Sequence, residues 1–291
     1  MLNNLTRLKV LLAIIFVALF FMKRDMILEY FFETKQVTHN TDSVVILPHN
    51  DKDKDDYNEN NPKIAIAVLN LGLVKNTLNS ALDLDSQVIL GFSSYADNLS
   101  MILQESTKNK HESMVLLPTQ LLDYTSYDPG PHAIFVNNSI TESTRKFSDI
   151  LSKLVSNDSG IYIPINSALP LREDKALILL KLLEDHDAKF KFFMYYDPEN
   201  TNFITKLITK SHIAKKTVVI DSIIDESLTT DDIIASLDKL VAVAKKNKTV
   251  SVGVISPTRI SIETLGHWLA AHTGKVDIVP ITEIFKERSK K

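Results

Sequence analysis

The side chains that could perform chemistry in this sequence are few and widely spaced. Cysteine is absent from the 291 residues, so thiolate catalysis and cysteine-based zinc sites are excluded. A metal ion would need histidine, aspartate or glutamate. The eight histidines form no ligand pair, because His267 and His272, which share a predicted helix, are five residues apart rather than four. No GxSxG motif and no glycine-rich phosphate loop occurs.

Composition is typical of an ordinary folded protein. Apolar residues make up 44% and charged residues 24% of the chain, and the net charge is −3. A nucleic-acid-binding domain usually carries a strongly basic face, and this balance predicts none. We therefore expect no nucleic acid partner.

The N-terminus carries an apolar run, residues 10–22, without a polar interruption. It is flanked by the basic residues Arg7, Lys9, Lys23 and Arg24. This run is shorter than the ~20 residues of a full membrane span. It therefore permits three interpretations: an uncleaved anchor, a cleaved signal peptide or a buried core helix. The absence of a small-x-small site after it favours the anchor. Residues 1–32 are predicted to hold the domain outside the cytoplasm, in the bacterial periplasm or cell envelope.

A polar linker is predicted over residues 33–62, which end in DKDKDDYNENNP. Such a stretch cannot bury enough apolar surface to offset its ordering entropy, so we expect it to be disordered. Its aspartates lack the central glycine and terminal glutamate of a calcium loop. The folded domain is predicted over 63–291.

Strand and helix patterns alternate regularly through this domain. The β-rich apolar runs are 63–69, 87–92, 113–117, 160–165, 190–194, 217–220, 249–254 and 276–279. The helical patterns are 96–106, 139–155, 173–185, 202–211, 230–246, 261–272 and a C-terminal helix. Seven or eight strands with intervening helices imply a parallel sheet, either a barrel or a doubly wound sheet. In both, a site forms at the carboxyl ends of the strands.

Those strand ends carry no histidine. Asp197 and Asp221 are the carboxylates that follow predicted strands, and neither has a histidine companion in the sequence. Tyrosines near the strand ends are Tyr95, Tyr124, Tyr127, Tyr195 and Tyr196. Aromatic and amide side chains at a barrel mouth would favour sugar binding, and an apolar plug would favour a structural role.

The ordered segments of the domain resemble the divergent polysaccharide deacetylase family, a branch of the NodB-like carbohydrate esterases. The opening KIAIAVLNLGL at 63–73 resembles KIAIVIDDLGL, and DPGP at 128–131 with Ala133 matches the family turn. Shorter matches follow in family order, at 110–118, 160–167, 192–196, 219–221, 253–257 and 279–282. The resemblance implies a distorted (β/α) barrel of the NodB-like glycoside hydrolase/deacetylase type. It also implies zinc-dependent removal of N-acetyl groups from envelope polysaccharide.

The positions that should bind zinc and activate water are changed in this chain. The family's Asp-Asp pair is Leu69-Asn70, and its other metal or catalytic positions hold Leu116, Pro164, Tyr195 and Val254. Aliphatic side chains and proline offer no lone pair to a metal, and Asn70 cannot act as a base near neutral pH. We therefore predict no catalytic residue, no metal and no cofactor. Asp128, Asp221 and Asn70 remain as candidate binding residues.

Three functions remain open at this point. The first is a membrane-held, inactive deacetylase-like domain that binds envelope polysaccharide or an envelope protein. The second is an active deacetylase with a relocated site, in which His132, Asp128 and Asp221 gather over the barrel mouth. The third is a purely structural envelope protein.

Overall fold

The computed structural model describes residues 61–154, 158–197, 199, 201–225 and 229–289. The strands are β1 (Lys63–Leu71), β2 (Ile89–Phe92), β3 (Ser113–Leu116), β4 (Gly160–Tyr162), β5 (Phe193–Tyr196), β6 (Thr217–Ile220), β7 (Ser222–Ile223), β8 (Ser251–Ile255) and β9 (Asp277–Ile278). The helices are α1 (Lys75–Leu82), α2 (Leu99–Lys108), α3 (Ile140–Leu151), α4 (Glu173–Asp185), α5 (Phe203–Ile208), α6 (Thr230–Asn247), α7 (Arg259–His272) and α8 (Ile281–Ser289).

The strands form a nearly closed parallel barrel. Their order is β6-β5-β4-β3-β2-β1-β8-β7, and β9 pairs with the start of β1. The two ends of this order, β6 and β7, are consecutive in the chain and are separated only by Asp221. The Asp221 N–H donates to the Val252 carbonyl at 2.9 Å, and its carboxylate accepts from the Val252 N–H at 2.7 Å. Asp221 thus joins the seam of the barrel, and the predicted (β/α) barrel is confirmed.

The barrel interior is filled by side chains from alternate strand positions, as the pleat of a strand requires. Ala65, Ala67 and Leu69 of β1 belong to this inner cluster, together with Ile281 and Ile284 of α8. Small residues leave room for large neighbours. A Cβ on Gly160 would lie 2.3 Å from the ring of Phe192, so only glycine lets that ring pack there.

The helices cover the outside of the barrel and build a second, larger apolar cluster between themselves and the strands. Three of them begin with a side-chain cap, which satisfies an N–H that the helix leaves unbonded. Ser139, the residue before α3, accepts from the Glu142 N–H. Thr229 and Thr258 accept from Asp232 and Ser261 in the same way. Local sequence therefore fixes where these helices start.

The predicted membrane segment, residues 1–32, and residues 33–60 of the predicted linker lie outside the described residues. Within the described part of the chain, no helix combines the length and the apolar character needed to cross a bilayer.

Candidate functional site

A cavity of about 300 Å³, the mouth cavity, opens at the carboxyl ends of the strands. Parallel barrels place their binding and catalytic sites at this end. Five of the six changed family positions line it, namely Leu69, Asn70, Leu116, Pro164 and Val254. The remaining lining residues are Pro118, Leu121, Pro129, Tyr162, Ile165, Asn166, Ile223, Asp225, Ile255 and Ser256. Most of the changed family positions therefore gather around one cavity at this end of the barrel.

Asn70 is fixed in an unusual backbone conformation at the end of β1. Its φ of 58° lies in the left-handed region, which asparagine tolerates better than most residues. The register between β1 and β2 shifts between Val68 and Leu71, on either side of this residue. The Asn70 N–H donates to the Tyr162 hydroxyl at 3.0 Å, and that hydroxyl donates to Asn70 Oδ1 at 3.2 Å. The side chain of Asn70 is thus oriented by a buried phenol.

The floor of the mouth cavity is apolar. Leu69, Met114 and Tyr162 meet over Gly91, where an added Cβ would lie 2.9, 3.1 and 3.2 Å from them. Leu69 and Val254 are almost fully buried, although both line the cavity. The floor is therefore tightly packed, while the space above it stays open.

The mouth cavity does not fit the zinc ion that the family implies. Its floor offers leucine, valine and proline, and its side-chain oxygen donors are those of Asn70, Tyr162, Asn166, Asp225 and Ser256, with no imidazole among them. Protein zinc sites use histidine, cysteine and carboxylate ligands with an open position for water. Across the described ranges, no three histidine, aspartate or glutamate side chains come together as a metal site.

Asp225, the carboxylate of the mouth cavity, was not singled out from the sequence. It is buried and accepts hydrogen bonds from the Ser256 N–H at 2.8 Å and the Ser261 hydroxyl at 2.7 Å. The Ser256 hydroxyl lies at 3.4 Å from its second oxygen. Asp225 therefore holds the end of β8 to the start of α7. Asp221, the predicted binding residue, lies at the barrel seam and does not line the cavity.

Asp128, the other predicted binding residue, shapes a turn rather than lining the cavity. Its Oδ1 accepts from the Gly130 N–H at 2.8 Å. Gly130 has a φ of 87°, and a Cβ there would lie 2.6 Å from the Tyr95 hydroxyl. That hydroxyl donates to the Pro129 carbonyl at 2.9 Å and accepts from the His132 N–H at 3.2 Å. Tyr95 thus fixes the turn that presents Pro129 to the mouth cavity.

Tyr195, the sixth changed position, points away from the mouth cavity. It is buried, and its hydroxyl is 2.8 Å from the Thr205 hydroxyl. Burial, with a smaller contribution from the nearby Asp197 carboxylate, raises the pKa of Tyr195 to about 12. Asp197 is also buried and accepts from the Thr201 and Asn202 N–H groups and from Thr205. This group of residues holds β5 to α5.

A second cavity of about 200 Å³, the side cavity, adjoins the first. It shares Pro164 and Ile165 with the mouth cavity. Its other lining residues are Leu122, Ile163, Ser167, Pro170, Leu171, Tyr196, Asp197, Glu199, Thr201 and Asn202. Of the tyrosines expected near the mouth, Tyr196 is the one that lines either of these two cavities.

The comparisons with known proteins agree with this architecture. A family model described as divergent polysaccharide deacetylase matches residues 66–285, and no curated protein matches the chain. An uncharacterized protein from Agrobacterium tumefaciens C58 is 21% identical with a TM-score of 0.68, over 77% of this chain and 89% of that one.

A second solved structure is the catalytic domain of a peptidoglycan N-acetylglucosamine deacetylase from Eubacterium rectale. It is 13% identical with a TM-score of 0.42, over 77% of this chain and 90% of that one. The Agrobacterium likeness shows the fold alone, whereas the family match spans most of the folded domain. The chain belongs to the divergent polysaccharide deacetylase family.

Proposed function

We propose that this family member binds an uncharged glycan unit in the mouth cavity and does not hydrolyse it. The observation that carries the proposal is an open cavity over an apolar floor, where the resemblance implies a metal centre. The ligand would be envelope polysaccharide. Residues 1–32 would hold the domain at a membrane, outside the cytoplasm.

The side chains that line the mouth cavity support the proposed absence of hydrolysis. Amide hydrolysis in this family's manner needs a metal to lower the pKa of water and a base to take its proton. Leu69 and Val254 can supply neither. Asn70 is a neutral amide, already bonded to Tyr162. Asp225 accepts hydrogen bonds from Ser256 and Ser261 and is committed to holding the backbone.

Binding is supported by the mixture of surfaces around the cavity. Ligand pockets combine apolar walls with a few polar groups that orient the ligand. Leu116, Leu121 and Pro164, which are partly exposed, offer surface to the C–H face of a sugar ring, while Asn70 and Asn166 offer amide groups to hydroxyls. A volume of about 300 Å³ is at the small end of the usual range, which suits a single sugar unit.

Zinc analysis and a deacetylation assay test the loss of hydrolysis. The purified full-length chain in detergent would be analysed for bound metal and incubated with N-acetylglucosamine oligomers. We expect less than stoichiometric zinc and no released acetate. Stoichiometric zinc together with turnover would overturn the proposal and favour the relocated active site.

Titration with N-acetylglucosamine tests the binding role. A Leu116→Trp variant would fill the mouth cavity and is expected to abolish binding. The matched control is Leu177→Trp, since Leu177 is exposed on α4 and does not line the mouth cavity. Circular dichroism would check that both variants are folded. Failure of the unaltered chain to bind any glycan would favour the structural role or an envelope protein as partner.

A further inference from the structure

We propose that the barrel docks on an anionic lipid surface through exposed lysines at the end opposite the mouth cavity. These lysines, the seam patch, are Lys210, Lys215, Lys245, Lys246 and Lys248. The inference rests on the membrane placement in the proposed function and not on its glycan. It adds a second contact with the membrane, which would fix how the barrel is oriented on that surface.

The topology of the barrel brings two lysine-bearing connections together. Lys210 and Lys215 precede β6, and the other three lysines precede β8. β6 and β8 meet at the seam, where the N–H and the carboxylate of Asp221 bond to the backbone of Val252. The strand pairings of the sheet are parallel, so the segments that precede β6 and β8 lie at the same end of the barrel. The seam patch is thus assembled from neighbouring connections.

The positive charge of the seam patch is not neutralised locally. The two connections, residues 209–216 and 245–250, contain no aspartate or glutamate. Among the described residues, no carboxylate forms an ion pair with any of the five lysines. Asp187, the carboxylate near the first connection, lies 3.3 Å from His212 Nε2 instead. Each lysine held near an anionic lipid surface strengthens binding by roughly fivefold, so five such lysines favour that surface.

The helix dipole explains only part of this arrangement. Lysines are favoured in the last turn of a helix, which accounts for Lys245 and Lys246 of α6. Lys248 follows the helix with a left-handed φ of 54°, and Lys215 lies in a separate turn well beyond α5. Asp232, in the acidic first turn of α6, is about 20 Å from Lys245 along the helix axis, roughly twice the distance over which salt screens a charge. The acidic start of α6 therefore does not cancel the charge of the seam patch.

The described chain enters the barrel beside the seam patch. The Asn61 side chain donates to Asp277 Oδ1 at 3.1 Å and to the Gly274 carbonyl at 3.3 Å. β1 then begins at Lys63, and one of its neighbours in the sheet is β8, which follows the lysines of α6. The predicted anchor, residues 1–32, precedes this point in the sequence. An anchor there would present this end of the barrel to the lipid, rather than the mouth cavity.

The mouth end carries the opposite charge. The connection between β3 and α3, residues 117–139, contains Asp123 and Asp128 but no lysine or arginine. Helix α6 begins with Asp231 and Asp232, which are both exposed. An anionic surface repels these carboxylates while it attracts the seam patch. Docking would therefore turn the mouth cavity away from the lipid, toward the polysaccharide of the proposed function.

Site-specific fluorescence measures the docking, because the chain has no cysteine of its own. Thr249→Cys places a label next to Lys248, and Thr125→Cys places one in the β3–α3 connection; both threonines are exposed. The full-length protein would be reconstituted into vesicles of phosphatidylcholine, alone or mixed equally with phosphatidylglycerol, that contain a headgroup quencher. We expect phosphatidylglycerol to raise quenching at position 249 by about twofold or more. Salt at ~1 M should remove this rise, and the label at position 125 should not respond.

Charge reversal tests the lysines themselves. Lys245→Glu with Lys246→Glu, made in the Thr249→Cys chain, is expected to abolish the rise in quenching. Lys75→Glu with Lys181→Glu is the matched control, since it changes the net charge equally at exposed lysines of α1 and α4, and it should keep the rise. A rise that survives in the first variant, or is lost in the control, would overturn the inference.

The vesicle experiment also separates the inference from the proposed function. Protein that floats with the vesicles but shows no lipid-dependent quenching would overturn the docking and leave the proposed function standing. Protein that does not associate with vesicles at all would overturn the membrane placement together with the docking. A response to Asp53→Asn with Asp55→Asn, instead of to the lipid, would assign the seam patch to the chain's own acidic segment and would also overturn the inference.

Discussion

The hydroxyl of Tyr162 and the end of β1 at Asn70 hold each other through two hydrogen bonds. One runs from the Asn70 N–H to the hydroxyl at 3.0 Å, and one from the hydroxyl to Asn70 Oδ1 at 3.2 Å. The pair joins residues 92 positions apart in the chain. It stabilises a left-handed residue at the place where the family resemblance puts a catalytic carboxylate.

Tyr162→Phe is expected to lower the free energy of unfolding by about 1 kcal/mol, because it removes both bonds and leaves the Asn70 N–H without this partner. Urea denaturation measures the change. Tyr127→Phe, at a tyrosine that is 64% exposed, is the control and should leave stability unchanged. Equal stability of the two variants would show that the pair contributes nothing.

Alkaline pH is expected to destabilise the fold through two buried phenols. Burial raises the pKa of Tyr162 well above its usual range and raises that of Tyr195 to about 12. In the unfolded chain both ionise near pH ~10, so the folded state binds more protons above that pH. The stability that the two protonated phenols contribute is therefore fully present below pH ~10 and is lost as the pH rises toward 12. Denaturation midpoints between pH 9 and 12 measure this slope.

The double variant Tyr162→Phe with Tyr195→Phe supplies the control for this titration. We expect this variant to be less stable at neutral pH, because it lacks the hydrogen bonds of both hydroxyls, but its stability should decline less steeply above pH ~10 than that of the unaltered chain. An unchanged slope would assign the alkaline loss to other groups.

Gly91→Ala and Gly266→Ala are expected to have opposite effects. A Cβ on Gly91 would lie 2.9 Å from Leu69 in the cavity floor, so overpacking should cost about 1 kcal/mol or more. Gly266 lies within α7, and its nearest contact would be Leu84 at 3.6 Å. Alanine there should stabilise the protein by about 0.5–1 kcal/mol, since it favours the helix. Thermal denaturation of both variants measures the two changes in stability. A stabilising effect of Gly91→Ala would contradict the tight packing of the cavity floor.

Asp225→Ala is expected to cost about 2–3 kcal/mol, because hydrogen bonds to a buried carboxylate are stronger than neutral ones. Ser261→Ala removes one of its donors and should cost about 1 kcal/mol. Glu263→Ala, at an exposed position of the same helix, is the control for charge removal. Denaturant unfolding of the three variants provides the measurement. If Asp225→Ala were no worse than Ser261→Ala, the carboxylate would not be the link between β8 and α7.

The fold could be predicted from the sequence because most of the strands lie in predominantly apolar, β-rich runs. Helix α1 was missed, because its sequence KNTLNSAL is rich in residues with weak helix propensity. It forms because Leu78, Ala81 and Leu82 are buried against the core. Helix α1 is therefore stabilised by tertiary packing, which the local sequence pattern does not reveal.

The sequence predicted the end of the barrel at which the candidate cavity lies, but not every residue that lines it. Leu69, Leu116 and Val254 were placed at the mouth because each lies at or near the carboxyl end of a predicted strand. Tyr162 was missed because it lies inside a strand pattern and resembles core. Asp225 was missed because β6 is followed after a single residue by β7, a two-residue strand with no sequence signal. That short strand carries the chain from the seam to the mouth, so the lining carboxylate comes four residues after Asp221.

The packing of Leu69 against Met114 and Tyr162 over Gly91 makes the end of β1 a poor place for a charged side chain. A carboxylate introduced at position 69 would lose its water and meet a sulfur atom and an aromatic ring instead of a cation. A single change to a carboxylate at this floor would therefore weaken the barrel unless the apolar neighbours changed with it.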